Sequence, residues 1–207
     1  MVSARSRFLG TGAYAPLADA LVSLLGQPQR LADLGCGEGF FTAALCQSTP
    51  EVYGLDISKI AVRAACKQAT GANFVVASTI RLPFVSKAFD AVTVIMAPMS
   101  PDVPRILKQK ALLCRVSPGE RHLVELRELA YQEVRPVKQP PINVDKLTHT
   151  GSEQVRFDTL LGTDRLMDLI AMTPMQFRTS KEFREQVSQI HQLTVTADFR
   201  IDLFRKD

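Results

Sequence analysis

Apolar residues recur along this chain with two different spacings. Between Leu31 and Val116, short apolar runs alternate with segments whose apolar residues lie three or four positions apart. Short runs are typical of buried strands, and the wider spacing is typical of helices that pack one face on a sheet. This alternation predicts an α/β fold with a parallel sheet covered on both faces by helices. The predicted strands span residues 30–34, 51–57, 73–77, 89–96 and 111–116.

Helices are predicted before and between these strands. The first spans residues 13–25 and ends where Gly26 and Pro28 interrupt the pattern. Ser58 follows the second strand, and its side-chain oxygen can accept a hydrogen bond from a free backbone amide of the next helix. The other helices predicted in this half cover residues 40–46, 58–69 and 103–108.

The C-terminal third has a different pattern. Three prolines in residues 134–141 predict a loop or short linker. A strand is then predicted at 155–161, two helices at 164–172 and 180–190, and a long alternating strand at 193–204. The two closing strands would complete a seven-stranded sheet, and no second domain is predicted.

Composition adds limits on localisation and cysteine chemistry. The chain has 207 residues, of which 46% are hydrophobic, so it can bury a core. No apolar run is long enough to cross a bilayer, and the segment MVSARSRFLG has no apolar core of a secretory signal. We therefore expect a cytoplasmic protein without a membrane partner. The cysteines at 36, 46, 66 and 114 form no C-x-x-C pair, which predicts reduced thiols and no metal site.

Positive charge is concentrated in one stretch. The net charge is +4, and the residues from Pro104 to Lys138 contain eight Lys or Arg against four Glu. The local excess therefore equals that of the whole chain. Such a surface suits an acidic polymer such as RNA, but a solvated helix face with mixed charges would have the same composition.

The segment DLGCGEG, residues 33–39, carries the first specific chemistry. Its glycines stand at i, i+2 and i+4 (Gly35, Gly37 and Gly39), whereas a dinucleotide site prefers G-x-G-x-x-G. Asp33 and Glu38 would repel a pyrophosphate but suit a cationic ligand. Asp56 ends the second strand, where an acid can accept hydrogen bonds from ribose hydroxyls or cap the next helix. A ribose, a purine and a positive centre together describe S-adenosylmethionine, which we favour over NAD.

Two later segments would complete such a site. The adenine would lie at the end of the third strand, against Ala77 and Ser78. The segment MAPMSPD, residues 96–102, follows the fourth strand, where it would face the transferable methyl group. It does not match Asn/Asp-Pro-Pro-aromatic, so methylation of the exocyclic amino groups of adenine or cytosine is disfavoured.

Several longer segments, spread over nearly the whole chain, are similar to those of a known protein family. They are YAPLADAL, DLGCGEGFFT, GLDISKIAVRAA, VASTIRLPF, PGERHLVELRELAYQEV, LIAMTPMQFR and TADFRIDLF. DLGCGEG and LPF occur across many class I methyltransferases, whereas P-G-x-R-H-L-x-E-L and the MTP segment are much narrower. With these segments in order, the chain resembles the bacterial 23S ribosomal RNA guanine-N1 methyltransferases.

The resemblance implies a fold, a cofactor and a reaction. The fold is a Rossmann-like class I methyltransferase, with a seven-stranded, mostly parallel sheet, an antiparallel last strand and helices on both faces. The reaction is methyl transfer from S-adenosylmethionine to N1 of a guanine in a 23S ribosomal RNA hairpin, and a homodimer is left open. We expect one domain, with residues 1–28 as an N-terminal helical lid region, 29–134 as the cofactor-binding core and 135–207 completing the sheet.

The resemblance also assigns candidate residues. The cofactor would be lined by Tyr14, Asp33, Gly35, Gly37, Glu38, Gly39, Asp56, Ile57, Ala77, Ser78 and Ala97. Substrate-binding candidates are Pro98, Met99, Arg121 and His122. Guanine N1 carries a proton at neutral pH, so a group or a water must take it. His122 is the candidate base, although a contact to backbone or phosphate is the alternative, and Arg7 and Arg127 are further phosphate candidates.

The sequence departs from the family pattern in two places. The family begins with a four-ligand zinc module expected to help grip RNA, whereas RSRFLGTGAY in this chain aligns with the start of the catalytic domain. The segment LKQKALL also replaces the usual Lys-Pro-Gly-Gly turn. A trimmed chain and a naturally fingerless relative both fit, so two alternatives stay open: a small-molecule methyltransferase and a catalytically silent cofactor-binding relative.

Overall fold

A seven-stranded sheet forms the centre of the protein, in a computed structural model that describes residues 2–207. The strand order is β3-β2-β1-β4-β5-β7-β6. The first five strands are parallel, and β7 is antiparallel to both of its neighbours, β5 and β6. The predicted α/β fold with an antiparallel last strand is confirmed. The strands are β1 (Arg30–Leu34), β2 (Glu51–Asp56), β3 (Ala72–Val76), β4 (Phe89–Ile95), β5 (Leu107–Pro118), β6 (Leu147–Gly162) and β7 (Gln192–Lys206).

Helices lie between and beside the strands. Ser58 caps α4 as predicted, because its Oγ accepts a hydrogen bond from the amide of Ala61 at 3.2 Å. No helix in residues 2–207 combines the length and apolar character that crossing a membrane requires. The helices are α1 (Val2–Leu9), α2 (Ala15–Leu25), α3 (Phe40–Leu45), α4 (Lys59–Gln68), α5 (Val103–Ile106), α6 (Val124–Ala130), α7 (Thr163–Met172), α8 (Met175–Arg178) and α9 (Lys181–Ser188).

Two strands are longer than their sequence pattern indicated. β5 begins at Leu107, which pairs with Phe89, so the helix predicted over 103–108 ends at Ile106. β6 begins at Leu147 instead of residue 155, and it pairs with β7 along nearly its whole length. Residues 148–154 lack an apolar alternation, so their extended conformation follows from the hydrogen-bonded ladder with β7.

Residues 1–28 were expected to be helical, but a separate helix before residue 13 was not predicted. α1 buries Phe8 and Leu9 in the core. It packs against α7, where Arg7 Nε donates to Asp168 Oδ1 at 3.1 Å. Arg165 also donates to the Asp168 carboxylate. These contacts hold α1 at the end of the sheet where β1, β2 and β4 finish.

The two faces of β7 differ in chemistry. Val195, Ala197, Phe199 and Ile201 belong to the main hydrophobic core. On the opposite face, Asp202 is fully buried and accepts from Arg115 Nη2 at 2.8 Å and from Ser152 Oγ at 2.7 Å. This face therefore combines buried charge pairing at Asp202 with apolar packing at Phe204, which is fully buried.

Candidate functional site

A cleft of about 580 Å³ opens at the carboxyl ends of β1, β2 and β4. Ligands of open α/β sheets bind at this end of the strands. α1 and α7 contribute to its walls together with the loops that follow the strands. Its lining comprises Val2, Arg5, Gly35, Gly37, Glu38, Asp56, Ile57, Ser58, Ala61, Ser78, Thr79, Ile80, Ile95, Met96, Ala97, Pro98 and Met172.

Gly35 makes the first turn of the glycine loop possible. Its amide and that of Cys36 both donate to the carbonyl of Leu55, at 2.7 and 3.0 Å. Its φ is +81°, and a Cβ here would lie 2.5 Å from the Cβ of Ala97. A side chain at position 35 would therefore separate the loop after β1 from the segment after β4.

The other two glycines face different neighbours. A Cβ on Gly37 would lie 3.4 Å from Arg5 Nε, beside the cleft. A Cβ on Gly39 would lie 2.9 Å from that of Ala65, so this glycine lets α3 and α4 approach each other. Sequence reasoning predicted ligand-facing roles for all three, whereas the structure places Gly35 and Gly37 at the cleft and Gly39 against α4.

Asp56 connects the end of β2 to the glycine loop. Its Oδ2 accepts from the amide of Gly37 at 2.9 Å, and its Oδ1 accepts from the amide of Ser58 at 2.7 Å. These bonds fix the orientation of the carboxylate at the cleft. Because each carboxylate oxygen has a second acceptor site, Asp56 can still bind the hydroxyls of a ligand.

Glu38 and Arg5 form an ion pair at the same cleft. Glu38 is 1% exposed, and its Oε2 lies 2.8 Å from Arg5 Nε. Burial raises the pKa of Glu38, and the positive charge of Arg5 opposes that shift. Arg5 was missed because no helix was predicted before residue 13; the spacing of Ala4 and Phe8 was the available signal.

Asp33 lies beneath the glycine loop instead of on the cleft surface. It is 1% exposed and accepts from Thr42 Oγ1 at 2.6 Å and from Thr93 Oγ1 at 2.9 Å. Burial raises the pKa of Asp33, and these two hydrogen bonds lower it. In this structure the residue joins β1, α3 and β4, and its predicted cofactor contact stays a prediction.

Tyr14 and Ala77 also pack inside the protein. The Tyr14 ring meets those of Phe8 and Phe199 edge to face, with centroids 5.2 and 5.0 Å away. Its buried hydroxyl has no hydrogen-bond partner within the described chain, and burial raises the pKa of Tyr14. Ala77 contacts the core beside β4, while its neighbour Ser78 lines the cleft.

A second cleft of about 600 Å³ adjoins the first. The two share Met96, Ala97 and Pro98, so this short segment after β4 forms a wall common to both. The remaining lining of the second cleft is Val116, Ser117, Pro118, His122, Leu123, Arg127, Tyr131, Val137, Thr173, Pro174 and Met175. Ligands in the two clefts would therefore both contact the segment 96–98.

Of the predicted substrate residues, Pro98 and His122 come together in the second cleft. Met99 faces a neighbouring cleft beside Pro141. Arg121 is exposed, and its backbone amide donates to Asp198 Oδ2 at 2.9 Å. The structure therefore separates these four residues between two clefts and the surface.

His122 is neutral in this environment. Its Nδ1 accepts a hydrogen bond from the amide of Asp198 at 3.3 Å, which places the imidazole proton on Nε2. Its ring packs against that of Phe199, with centroids 4.7 Å apart. Burial lowers the pKa of His122 to about 4, although the charge of Asp198 raises it. The ring is a weak proton acceptor near pH 7, but its Nε2–H can donate.

Two of the predicted phosphate ligands have protein partners. Arg7 is bound to Asp168, and Arg127 donates to the carbonyls of Glu120, at 3.1 Å, and Arg135. Within residues 2–207, no group of three or more His, Cys, Asp or Glu side chains is placed to hold a metal ion.

Comparisons with known proteins agree with this architecture. The sequence model of a family described as a methyltransferase domain matches residues 31–116. The 23S rRNA (guanine(748)-N(1))-methyltransferase of Streptomyces fradiae is 30% identical, over 97% of this chain and 78% of that protein. YxjB of Bacillus subtilis is 28% identical over the same shares of the two chains.

Solved structures show the same fold. YcgJ from Bacillus subtilis superposes with a TM-score of 0.61 at 18% identity, covering 91% of this chain and 97% of its own. The [4+2]-cyclase SpnF superposes with a TM-score of 0.58 at 17% identity, covering 92% of this chain and 80% of its own. Since SpnF is named for a cyclisation, the fold alone does not determine the reaction.

Proposed function

Because the chain belongs to the family of bacterial 23S rRNA (guanine-N1) methyltransferases, we propose that it transfers a methyl group from S-adenosylmethionine to N1 of a guanine in 23S ribosomal RNA. The first cleft holds the cofactor and the second holds the guanine. The observation that carries this assignment is the wall of residues 96–98 shared by the two clefts. Because the proposed substrate is ribosomal RNA, we expect the protein to act in the cytoplasm.

The first cleft has polar and apolar groups that suit the polar and apolar parts of the cofactor. Asp56 is held by two backbone amides and keeps acceptor sites for the ribose hydroxyls. Ile57 and Ile80 line the same cleft and are 74% and 77% exposed, which suits the flat apolar faces of an adenine. The buried carboxylate of Glu38 suits a positively charged group. When bound, the cofactor supplies a methyl group on a positively charged sulfur.

The second cleft fits a purine base. Leu123 and Met175 give it apolar walls, and its lining also includes the hydrogen-bonding side chains of His122 and Arg127. The free Nε2–H of His122 can donate to O6 of a guanine. Adenine carries an amino donor at the equivalent position, so a donor here favours guanine over adenine.

The contribution of the protein is chiefly positional. Attack by guanine N1 forms the N–C bond as the S–C bond breaks, and the proton on N1 is lost. Holding both partners against the shared segment 96–98, with N1 facing the methyl carbon directly, would align them for this step. Burial makes protonation of His122 unfavourable, and the described lining of the second cleft includes no carboxylate. The proton therefore passes to water, with His122 as a hydrogen-bond donor instead of the base.

The decisive experiment is methyl transfer from radiolabelled S-adenosylmethionine to unmodified 23S RNA. We expect label on one guanine with the wild-type protein and none with Asp56→Ala, whereas Asp19→Ala, a change at an exposed acid on α2, keeps full activity. A methyl group on N1 blocks the pairing edge of the base, so primer extension locates the modified guanine. Cofactor binding without RNA labelling would overturn the substrate assignment, and absence of binding would overturn the cofactor assignment.

A further inference from the structure

Arg115 and Ser117 are buried polar residues whose hydrogen-bonding groups are only partly used by the protein. They lie two positions apart on β5, so their side chains leave the same face of the sheet. Each residue is 6% exposed. Arg115 Nη2 donates to Asp202, but Arg115 Nε and Ser117 Oγ have no hydrogen-bond partner among residues 2–207. Since buried polar groups in native proteins nearly always have partners, two such atoms on one face of β5 point to a ligand.

Both side chains line a third cleft, of about 580 Å³, which is the one that Met99 faces. Ala97 and Pro98 line this cleft as well as the first and the second. Ser117 lines both the second cleft and the third. The third cleft therefore adjoins the proposed guanine cleft at the end of β5.

The walls of the third cleft are mostly apolar. Pro101 contributes from the segment after β4, and Pro140 and Pro141 contribute from the loop before β6. Gln139 Nε2 donates to the carbonyl of Pro118 at 2.9 Å, which fastens this loop to the end of β5. An apolar cleft with a few converging polar groups is typical of a site for a small organic ligand, such as a nucleobase.

The charges around the third cleft favour a base over a phosphate group. The positive charge of Arg115 is already paired with Asp202. Asp145, whose side chain is 85% exposed, lies at the rim of the cleft and would repel a phosphate. The unused groups are the Nε–H donor of Arg115 and the hydroxyl of Ser117. Carbonyl oxygens and ring nitrogens of nucleobases can accept hydrogen bonds from both.

We propose that the third cleft binds the base of a nucleotide next to the target guanine, with Arg115 Nε and Ser117 Oγ donating to acceptor atoms on its edge. This inference rests on the proposed function, because it requires an RNA whose target guanine lies in the second cleft. Bases in RNA loops can leave the stack and be bound by their edges. A neighbouring base in the third cleft would hold the strand while the guanine lies in the second.

Binding of hairpin RNAs that differ by a single base tests this assignment without turnover. The reference RNA is a fragment of 23S RNA around the guanine located by primer extension, and S-adenosylhomocysteine is present throughout. Two further RNAs each lack one base, on the 5′ or the 3′ side of that guanine, but keep its sugar and phosphate. We expect one of these abasic RNAs to bind wild-type protein about threefold or more weakly than the reference RNA.

Two protein variants then show whether the missing base was bound by the third cleft. Ser117→Ala and Arg115→Lys should each weaken the reference RNA about threefold or more, and should change binding of the weaker abasic RNA by less than about twofold. The reason is that the variant and the missing base remove the same contact. Ser188→Ala on α9 and Arg63→Lys on α4, both at exposed positions, should alter neither affinity.

A stability measurement separates loss of contact from loss of structure. Ser117→Ala should not lower the free energy of unfolding, because it removes a buried hydroxyl without a partner in the described chain. Ser117→Ala alone decides the test if Arg115→Lys fails to fold.

The outcomes distinguish this inference from the function beneath it. Equal weakening of reference and abasic RNAs by the variants would assign these side chains to the guanine or to the sugar-phosphate chain, and would overturn the inference. Equal binding of all three RNAs by wild-type protein, or no effect of either variant, would also overturn it while leaving the methylation assignment intact. If the wild-type protein methylates no guanine of 23S RNA, the proposed function fails and this inference with it.

Discussion

Gly35 and Ala97 approach so closely that a Cβ at position 35 would lie 2.5 Å from the Cβ of Ala97. Gly35 begins the loop after β1, and Ala97 lies in the segment shared by the two clefts. The contact therefore joins the candidate cofactor loop to the wall against which the substrate would lie.

Gly35→Ala should reduce the free energy of unfolding by about 2–4 kcal/mol, because it combines a left-handed φ with a steric clash. Gly12→Ala is a matched control, since φ there is +78° but nothing lies within 4 Å of the new Cβ. This control should lose only about 1 kcal/mol. Adding Ala97→Gly to Gly35→Ala should restore the part of the free energy of unfolding that the clash removes. Urea unfolding of the single and double variants measures this recovery. Equal losses in the two single variants would contradict this explanation.

Burial of His122 predicts loss of stability on acidification. Its pKa falls from 6.5 to about 4 in the folded protein, so between these values the unfolded chain binds a proton that the folded protein does not. The stabilisation is complete above about pH 6.5 and is lost as pH falls towards 4, by roughly 3 kcal/mol in all.

His122→Asn should flatten this pH dependence, because the Asn amide does not titrate while its Oδ1 can still accept from the amide of Asp198. Urea unfolding at about pH 7.5 and about pH 5 measures how much the free energy of unfolding falls on acidification in the wild type and in the variant. Glu125, Asp198 and Asp202 have lowered pKa values, so their contributions are lost only below the usual carboxylate range. If the free energy of unfolding fell equally with pH in wild type and variant, His122 would not be the group responsible for the loss of stability.

Asp202→Ala should destabilise the protein by about 3 kcal/mol, because it leaves the guanidinium of Arg115 buried without its partner. The same change frees Ser152 and Arg200, which also bond to Asp202. Glu51→Ala breaks the exposed pair with Arg30 and should have a much smaller effect, since solvent screens both charges. Chemical unfolding compares the free energies of unfolding of the two variants. A similar loss of stability in both would refute the explanation that burial makes the Asp202 pair more important than the exposed pair.

Tyr14→Phe should raise the free energy of unfolding by about 1 kcal/mol, because it removes a buried hydroxyl without a hydrogen-bond partner in the described chain. Tyr53→Phe serves as a control, since that hydroxyl has only a long contact, 3.5 Å, with the exposed Glu51. Calorimetry of cofactor binding to the same variants tests the prediction that Tyr14 contacts the cofactor. Weaker binding despite greater stability would support that role, and unchanged binding would exclude it.

The local pattern of residues predicted the order of the seven strands and a candidate ligand site. The apolar runs predicted β1, β2 and β4 because buried parallel strands need nearly continuous apolar residues. Glycines at alternate positions followed by an acid at Asp56 predicted a ligand site at the ends of β1 and β2. The strands depend on residues close together in sequence, so the pattern alone was sufficient to predict them.

Only the tertiary structure decided which groups meet at that site. Arg5 reaches Glu38 because α1 packs on α7, more than 150 positions away in sequence. Asp33 lies below the loop because Thr42 and Thr93 enclose it, and His122 is neutral because Phe199 and the amide of Asp198 surround its ring. The length of β6 likewise follows from pairing with β7. Burial and long-range hydrogen bonding set these properties, and neither is encoded in local spacing.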